Sequence, residues 1–237
     1  MPYSFEGKIR YSESGEDKKL TLFGVVNYFQ DCATFHSESI GLGIDALKER
    51  HRAWLLSYWQ IEIGRYPQLG DFVITSTWPY EFRLFLGMRN FTMKTPKGEC
   101  LAWANSVWTY ADMQKGIPAK LTREDLQGYE TEEKLKMNYK PRKILLPSGM
   151  RKEEPFRIQK QHLDTNHHVN NGQHIALALA YLPEDFKIRQ MRAEYKKQVF
   201  LDDLLTPMVL QEENRVLVSL EDEVGEPCSV VEFCRME

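Results

Sequence analysis

The sequence is short of several things, and each shortage closes off a class of function. It has no basic excess: 31 Lys and Arg face 34 Asp and Glu, a net charge of -3, so nothing in the balance points to nucleic acid. Its apolar runs, such as Ile175-Ala176-Leu177-Ala178-Leu179-Ala180-Tyr181-Leu182, fall far short of a membrane span. It has four cysteines, Cys32, Cys100, Cys228 and Cys234, with no CxxC pair and no dense framework. That spacing fits reduced thiols in a cytoplasmic protein. The start, Met1-Pro2-Tyr3-Ser4-Phe5-Glu6-Gly7, lacks the basic and apolar regions of a signal peptide. There is no GxSxG, which argues against a serine-elbow hydrolase. Gly41-Leu42-Gly43 lacks the third glycine and the preceding strand of a dinucleotide fingerprint. His162, His167, His168 and His174 lie close in sequence but match no helical HxxxH pair or zinc spacing, so no metal is expected.

What is present is a hydrophobic share of 42%, enough for one large domain or two small ones, and one dense polar knot. Asp164-Thr165-Asn166-His167-His168-Val169-Asn170-Asn171 holds a carboxylate, amides and imidazoles just before an apolar helical run stopped by Pro183. A helix start leaves backbone N–H groups without partners and favours negative charge. The bland reading of Asp164 and Asn166 is helix capping.

The chain also repeats itself. Val26-Asn27-x-x-Gln30 recurs as Val169-Asn170-x-x-Gln173, and Glu62, Leu69 and Asp71 recur as Glu194, Leu201 and Asp203. The periodicities agree. In the first half a short strand is expected over 8–11, then a helix with Val25, Phe29, Cys32 and Ile40 on one face, ending near Gly41 and Gly43. Strands are expected over 54–63, 72–78, 88–94 and 101–110, the last two joined by a Pro96-Lys97-Gly98 turn. In the second half a strand is expected over 156–159, a helix over 170–182, and strands over 189–197, 204–210, 215–220 and 229–235, broken at Asn214 and Gly225-Glu226-Pro227. The charged, weakly periodic stretch 122–150 reads as a linker, in part helical. All five tryptophans fall in the first half, where sheet packing is their default use.

This pattern predicts an α+β fold made of two units, each a long central helix wrapped by a curved antiparallel sheet: a tandem, or double, hotdog. The expected boundaries are an N-terminal unit over 1–125 that forms part of an apolar binding cavity, a linker over 126–150 and a C-terminal catalytic unit over 151–237. Aligned on Val-Asn-x-x-Gln, Thr21, Phe23 and Val25 stand opposite Asp164, Asn166 and His168. On that alignment the first unit has lost the constellation, which argues for function over capping, and Asn27 opposite Asn170 suggests a structural column.

Asp-x-Asn-x-His-Val-Asn-Asn, a helix, and then Glu194-Tyr195-Lys196-Lys197 resemble the acyl-[acyl carrier protein] thioesterase family of plants and bacteria. Arg65-Tyr66-Pro67-x-x-Gly70-Asp71 and the strand ending at Trp78 resemble that family's N-terminal hotdog, so the likeness covers nearly the whole chain. The resemblance implies hydrolysis of a fatty acyl thioester on the phosphopantetheine arm of acyl carrier protein, with no metal and no cofactor. It carries over Asp164, Asn166 and His168. Where plant members have Glu-Cys, this chain has Gln198-Val199, which excludes a thiol nucleophile there and leaves Gln198 as a supporting position able to orient an imidazole only by hydrogen bond.

On this reading Asp164 is general base or nucleophile, Asn166 orients water or thioester, His168 is acid/base or substrate-holding, and N–H groups over 169–172 stabilise an oxyanion. Lys187, Arg189, Arg192, Lys196 and Lys197 could steer an acidic carrier protein, though solvated charge is their default. Competing readings are an acyl-CoA thioesterase of hotdog fold, a non-catalytic acyl-binding or regulatory protein, and a hotdog dehydratase. Acyl chain length and pairing into a homodimer stay open.

Overall fold

The computed structural model describes residues 1–235. The chain divides into two compact units, Met1–Ser57 with Ile61–Tyr139, and Tyr58–Gln60 with the chain from Lys140 onward.

The first unit contains β1 (Tyr3–Lys8), α1 (Leu22–Ser39), α2 (Ile44–Glu49), β2 (Arg52–Ile63), β3 (Phe72–Arg83), β4 (Leu86–Lys94), β5 (Cys100–Asp112) and β6 (Ile117–Pro118). The strands lie in the order β1-β3-β4-β5-β2, with β6 on β5. Alternation along β3 buries Val73, Thr75 and Thr77. Register places Met93 and Phe91 of β4 opposite Thr75 and Thr77, and Ala102 and Ala104 of β5 opposite those. The helix α1 packs on this face: the Phe29 ring lies 5.3 Å from Phe91, and Cys32 Sγ lies 3.5 Å from the Thr75 carbonyl. Its buried residues Val25, Phe29, Cys32 and His36 recur at three- and four-residue spacing, and full burial of a side chain such as Phe29 contributes roughly 1.5–3 kcal/mol. Thr21 Oγ1 caps the helix by accepting from Gly24 N at 3.0 Å. Gly41, at φ 73°, closes its far end in the left-handed conformation that a side chain would disfavour.

The second unit contains β7 (Arg151–Lys152), β8 (Phe156–Arg157), α3 (Asn171–Leu179), β9 (Ile188–Tyr195), β10 (Leu204–Gln211), β11 (Arg215–Glu221) and β12 (Pro227–Arg235). Its order is β9-β12-β11-β10-β7, all antiparallel where register is defined, with β8 on β10. The helix packs against β11 and β12, burying Ile175 and Ala178. The double hotdog expected from the sequence is therefore the fold observed.

Several boundaries differ from expectation, for physical reasons. The first strand is Tyr3–Lys8, not 8–11, because β1 pairs along β3 only until Ile9 N turns to the Asp71 carbonyl. The strand expected over 156–159 shrinks to two residues, followed by a 3-10 turn over Lys160–His162. α3 stops at Leu179 rather than 182: Tyr181 and Leu182 make only three-residue bonds, to Ala178 and Leu179, ahead of Pro183. The stretch 122–150, expected to be in part helical, holds a 3-10 turn over Glu124–Leu126 and no helix from 127 to 150. It is pinned by side chains instead. Trp78 Nε1 donates to the Glu133 carbonyl at 2.9 Å, and the buried Asn90 Oδ1 accepts from Leu135 N at 3.0 Å and Tyr139 OH at 3.1 Å. Glu194 Oε2 accepts from Ile144 N at 2.9 Å, and Ile144 joins Leu217 and Val230 in a core cluster.

Candidate active site

The polar knot folds as a closed loop clamped between Leu163 and Val169. Asp164 N donates to the His168 carbonyl at 2.8 Å and His167 N to the Asp164 carbonyl at 3.1 Å, which requires a left-handed His167 at φ 62°. Asp164 Oδ1 accepts from Asn166 N at 2.8 Å and from His168 N at 3.4 Å. One carboxylate oxygen thus holds the loop, and Oδ2 takes no hydrogen bond among the described residues. Asn166 and His167 are exposed, whereas Asp164 and His168 are half-buried. The His168 ring meets Phe200 edge-on, with centroids 4.9 Å apart and planes at 78°. Neither of its ring nitrogens bonds to the described protein.

The N–H groups expected to be free at the helix start are mostly occupied. Val169 N donates to the Val199 carbonyl at 2.8 Å, Asn170 N to the His162 carbonyl at 2.9 Å, and Gly172 N to Asn170 Oδ1 at 2.8 Å. Asn170 is therefore the cap of α3, and among residues 169–172 the Asn171 N–H is the donor left over.

The other candidates separate cleanly. Gln198 is exposed and makes no hydrogen bond to His168; the neighbouring Val199 is buried and contributes its carbonyl to the loop. His162 Nδ1 accepts from Gln159 N at 3.1 Å, closing the 3-10 turn. His174 is a core residue: its Nδ1 lies 2.9 Å from Ser229 Oγ, its ring packs on Tyr195, and burial pushes its pKa down to about 4. No group of three or more His, Cys, Asp or Glu among the described residues is placed to hold a metal. Of the basic cluster, Arg192 pairs with Glu232, Lys196 with Glu194 and Lys197 with Asp222, so much of its charge is already balanced.

The repeat is present, but the structure corrects its register at the site. Residues 11–22 and 160–171 adopt the same succession of 3-10 turn, bridge, tight turn, bridge and helix cap. Gly15 N donates to the Lys19 carbonyl as Asp164 N does to His168, and Thr21 N to the Glu13 carbonyl as Asn170 N does to His162. The positions opposite Asp164, Asn166 and His168 are thus Gly15, Asp17 and Lys19, not Thr21, Phe23 and Val25. The first unit keeps the loop but has no carboxylate at the Asp164 position and no imidazole at the His168 position; its own carboxylate, Asp17, stands opposite Asn166 and accepts from Lys19 N at 3.1 Å. Asn170 stands opposite the cap Thr21, so the Asn27 column dissolves. The other match holds residue by residue: Ile9 N donates to the Asp71 carbonyl and Ile158 N to Asp203, while Gln68 N and Phe200 N each donate to the following aspartate.

Phe200 is the residue that reading by motif missed. The signal was available, since the Glu62–Asp71 match already sets it opposite a glutamine.

Fold and site together define a tandem hotdog protein with one elaborated polar loop, at the head of the second unit's helix. The chain matches the acyl-ACP thioesterase N-terminal domain over residues 2–129 and the C-terminal domain over residues 147–226, and it belongs to the acyl-ACP thioesterase family. It is 26% identical over 213 residues to the chloroplastic acyl-[acyl-carrier-protein] hydrolase FATB3 of Cuphea viscosissima, covering 83% of this chain and 52% of that protein. It is 23% identical to the chloroplastic oleoyl-acyl carrier protein thioesterase 2 of Arabidopsis thaliana, covering 92% of this chain and 65% of the relative. The chain spans about half the length of the first of these curated relatives. Among solved structures it resembles an acyl-ACP thioesterase from Bacteroides thetaiotaomicron, with a TM-score of 0.88 at 21% identity over 98% of this chain and 97% of that one. The 12:0-ACP thioesterase from Umbellularia californica superposes with a TM-score of 0.87 at 18% identity, over 99% and 97%. At these identities the likeness shows the fold.

Proposed function

We propose that this protein hydrolyses the thioester of a fatty acyl chain carried by acyl carrier protein, releasing the free fatty acid, and that the second unit does the chemistry. The observation that carries the reading is Asp164. One of its oxygens is committed to two loop N–H groups, which fixes the carboxylate, while the other is left to work on a substrate. In the first unit the same loop has Gly15 at this position.

The carboxylate takes a proton from the attacking water. The Asn171 N–H and the exposed Asn166 amide are donors for the oxyanion that forms on the thioester carbonyl. The proton taken from the water passes on through the half-buried His168, which accepts it and delivers it to the departing pantetheine sulfur, so that the carboxylate is free again for the next water. Each role uses a group of this chain, and none needs a metal or cofactor. The four cysteines are free thiols, which supports a reducing, cytoplasmic setting, and no helix among the described residues is long and apolar enough to cross a membrane.

The test is thiol release from acyl chains of graded length, each presented on carrier protein and on CoA. Hydrolysis with carrier protein preferred at equal chain length supports the reading. Preference for CoA moves the chain to the acyl-CoA thioesterases, and no release from any substrate sinks the hydrolase assignment.

A further inference from the structure

The imidazole of His168 lacks the usual device for orienting a catalytic histidine, a carboxylate or carbonyl hydrogen-bonded to the ring nitrogen that is not in use. Neither nitrogen has a partner among the described residues, and Gln198 makes no hydrogen bond to it. What the ring does have is Phe200, edge-on at 4.9 Å and 78°. We infer that Phe200 is the positioning residue for His168, holding by aromatic contact an imidazole that no hydrogen bond holds; this rests on the hydrolytic reading above.

Three observations carry the inference. First, Phe200 is itself held, although 47% exposed. Its N–H donates to Asp203 Oδ2 at 2.8 Å, and Asp203 N returns a bond to the Phe200 carbonyl at 3.3 Å. Second, the backbones that bear the two rings are tied together one residue away on each side, where Val169 N donates to the Val199 carbonyl at 2.8 Å. The ring contact is therefore built on a fixed frame and does not depend on two mobile side chains meeting.

Third, the first unit holds the same frame with different side chains. There Leu20 N donates to the Pro67 carbonyl at 2.9 Å, Gln68 N donates to Asp71 Oδ2 at 2.9 Å, and Lys19 and Gln68 are bridged partners. Lys19 faces Gln68 in one unit; His168 faces Phe200 in the other. The frame tolerates either pair, so Phe200 is not required to close the turn. The phenylalanine occurs where the opposing residue is the histidine of the candidate site.

Chemically, an edge-to-face contact restricts rotation of the imidazole yet engages neither nitrogen. Both remain able to give or accept a proton. A group that serves both as acid and as base during one hydrolysis needs that balance.

The experiment compares Phe200→Leu and Phe200→Tyr with the wild-type protein in two assays. Steady-state hydrolysis of acyl carrier protein thioester is measured alongside the proton NMR resonance of the His168 ring, which is assigned by its loss in His168→Gln. Phe200→Leu is expected to lower kcat about tenfold with KM changed less than about twofold, the scale of one aromatic pair, and to move the His168 resonance. Phe200→Tyr, which keeps the ring, is expected to restore kcat to within about twofold of wild type. Since Gln68 fills the same place in the first unit, both variants should fold, and equal thermal melts confirm it. Phe200→Leu turning over at the wild-type rate, or raising KM alone, overturns the inference, as does an unmoved His168 resonance. Failure of the hydrolase reading looks different: the wild-type protein itself releases no thiol.

Discussion

Lys18 and His167 stand 149 positions apart and share one unusual backbone conformation, left-handed with φ 60° and 62°. It is uncommon for any residue but glycine, although histidine takes it more readily than lysine. What the two residues share is a place, the tight turn between two bridged positions ahead of a capped helix. The backbone of this loop belongs to the duplicated unit, and its chemistry belongs to side chains laid on one copy. The scaffold does not depend on the site: Gly15, Asp17 and Lys19 show that the loop closes without Asp164 or His168.

That register makes a prediction about the inactive copy. A Cβ at Gly15 would meet Asp17 Oδ1 at 3.5 Å and Thr21 Cγ2 at 3.7 Å, ordinary contact distances. Gly15→Asp combined with Lys19→His should therefore fold with its melting temperature within a few degrees of wild type. Val25→His, the change suggested by aligning Val-Asn-x-x-Gln, puts an imidazole at a position 1% exposed and should cost roughly 3 kcal/mol or more. Urea melts of both variants decide between the registers, and a stable Val25→His protein would contradict the pairing of Asp164 with Gly15 and of His168 with Lys19.

For the active copy the choice of substitution matters. Asp164 both holds the loop through Oδ1 and is assigned the base. Asp164→Asn keeps an oxygen for the Asn166 and His168 N–H groups and removes the charge, so turnover should fall about a hundredfold or more with the fold intact. Asp164→Ala would lose the loop bonds as well and confound the two effects. His168→Ala, whose ring supports no hydrogen bond of the loop, should show a fall of similar scale. Circular dichroism alongside thiol release checks both; near-normal turnover of a folded variant removes that residue from the mechanism.

How much of this was legible in the sequence follows from what each feature depends on. The long helix announced itself because Val25, Phe29 and Cys32 repeat at helical spacing against a sheet. The end of α3 was misplaced because Leu182 is apolar and in phase, and only the steric demand of Pro183 removes it. The site loop was visible as a density of polar groups, but its register was not. The first unit inserts α2 and a longer α1 between the loop and the Gln68 turn, so no single offset aligns both landmarks, and the Val-Asn-x-x-Gln match filled the gap by coincidence. For Phe200 the repeat gave its place, opposite Gln68, but not its partner: the pairing with His168 is fixed by a backbone bond between Val169 and Val199, and no spacing rule encodes that.

The stretch 133–139, which has no secondary structure of its own, should depend on one buried amide. Asn90 is fully buried; its Nδ2 donates to the Ala104 carbonyl at 3.1 Å while Oδ1 receives Leu135 N and Tyr139 OH. Removing it strands several buried polar groups at once. Asn90→Ala should cost on the order of 2–4 kcal/mol and speed amide exchange at Leu135 well ahead of exchange in β3 and β4. Uniform acceleration across the unit would mean that Asn90 supports the sheet generally and not this segment.

Acid should weaken the fold through its buried imidazoles. His174 has its pKa pushed down to about 4 by burial, and His36 to about 4 by burial and by the neighbouring Arg89 guanidinium, whose Nη1 lies 3.0 Å from His36 Nδ1. An unfolded histidine takes up its proton near pH 6.5. Between about 6.5 and about 4 the unfolded chain therefore binds protons that the folded chain refuses, so unfolding becomes easier as pH falls through that window. For His174 alone the loss between pH 7.5 and pH 5 should be about 2 kcal/mol. His174→Gln can still bond Ser229 and does not titrate, so its stability should fall less steeply over the same range. Urea melts at the two pH values measure the difference, and identical slopes for variant and wild type would show that His174 accepts its proton without unfolding.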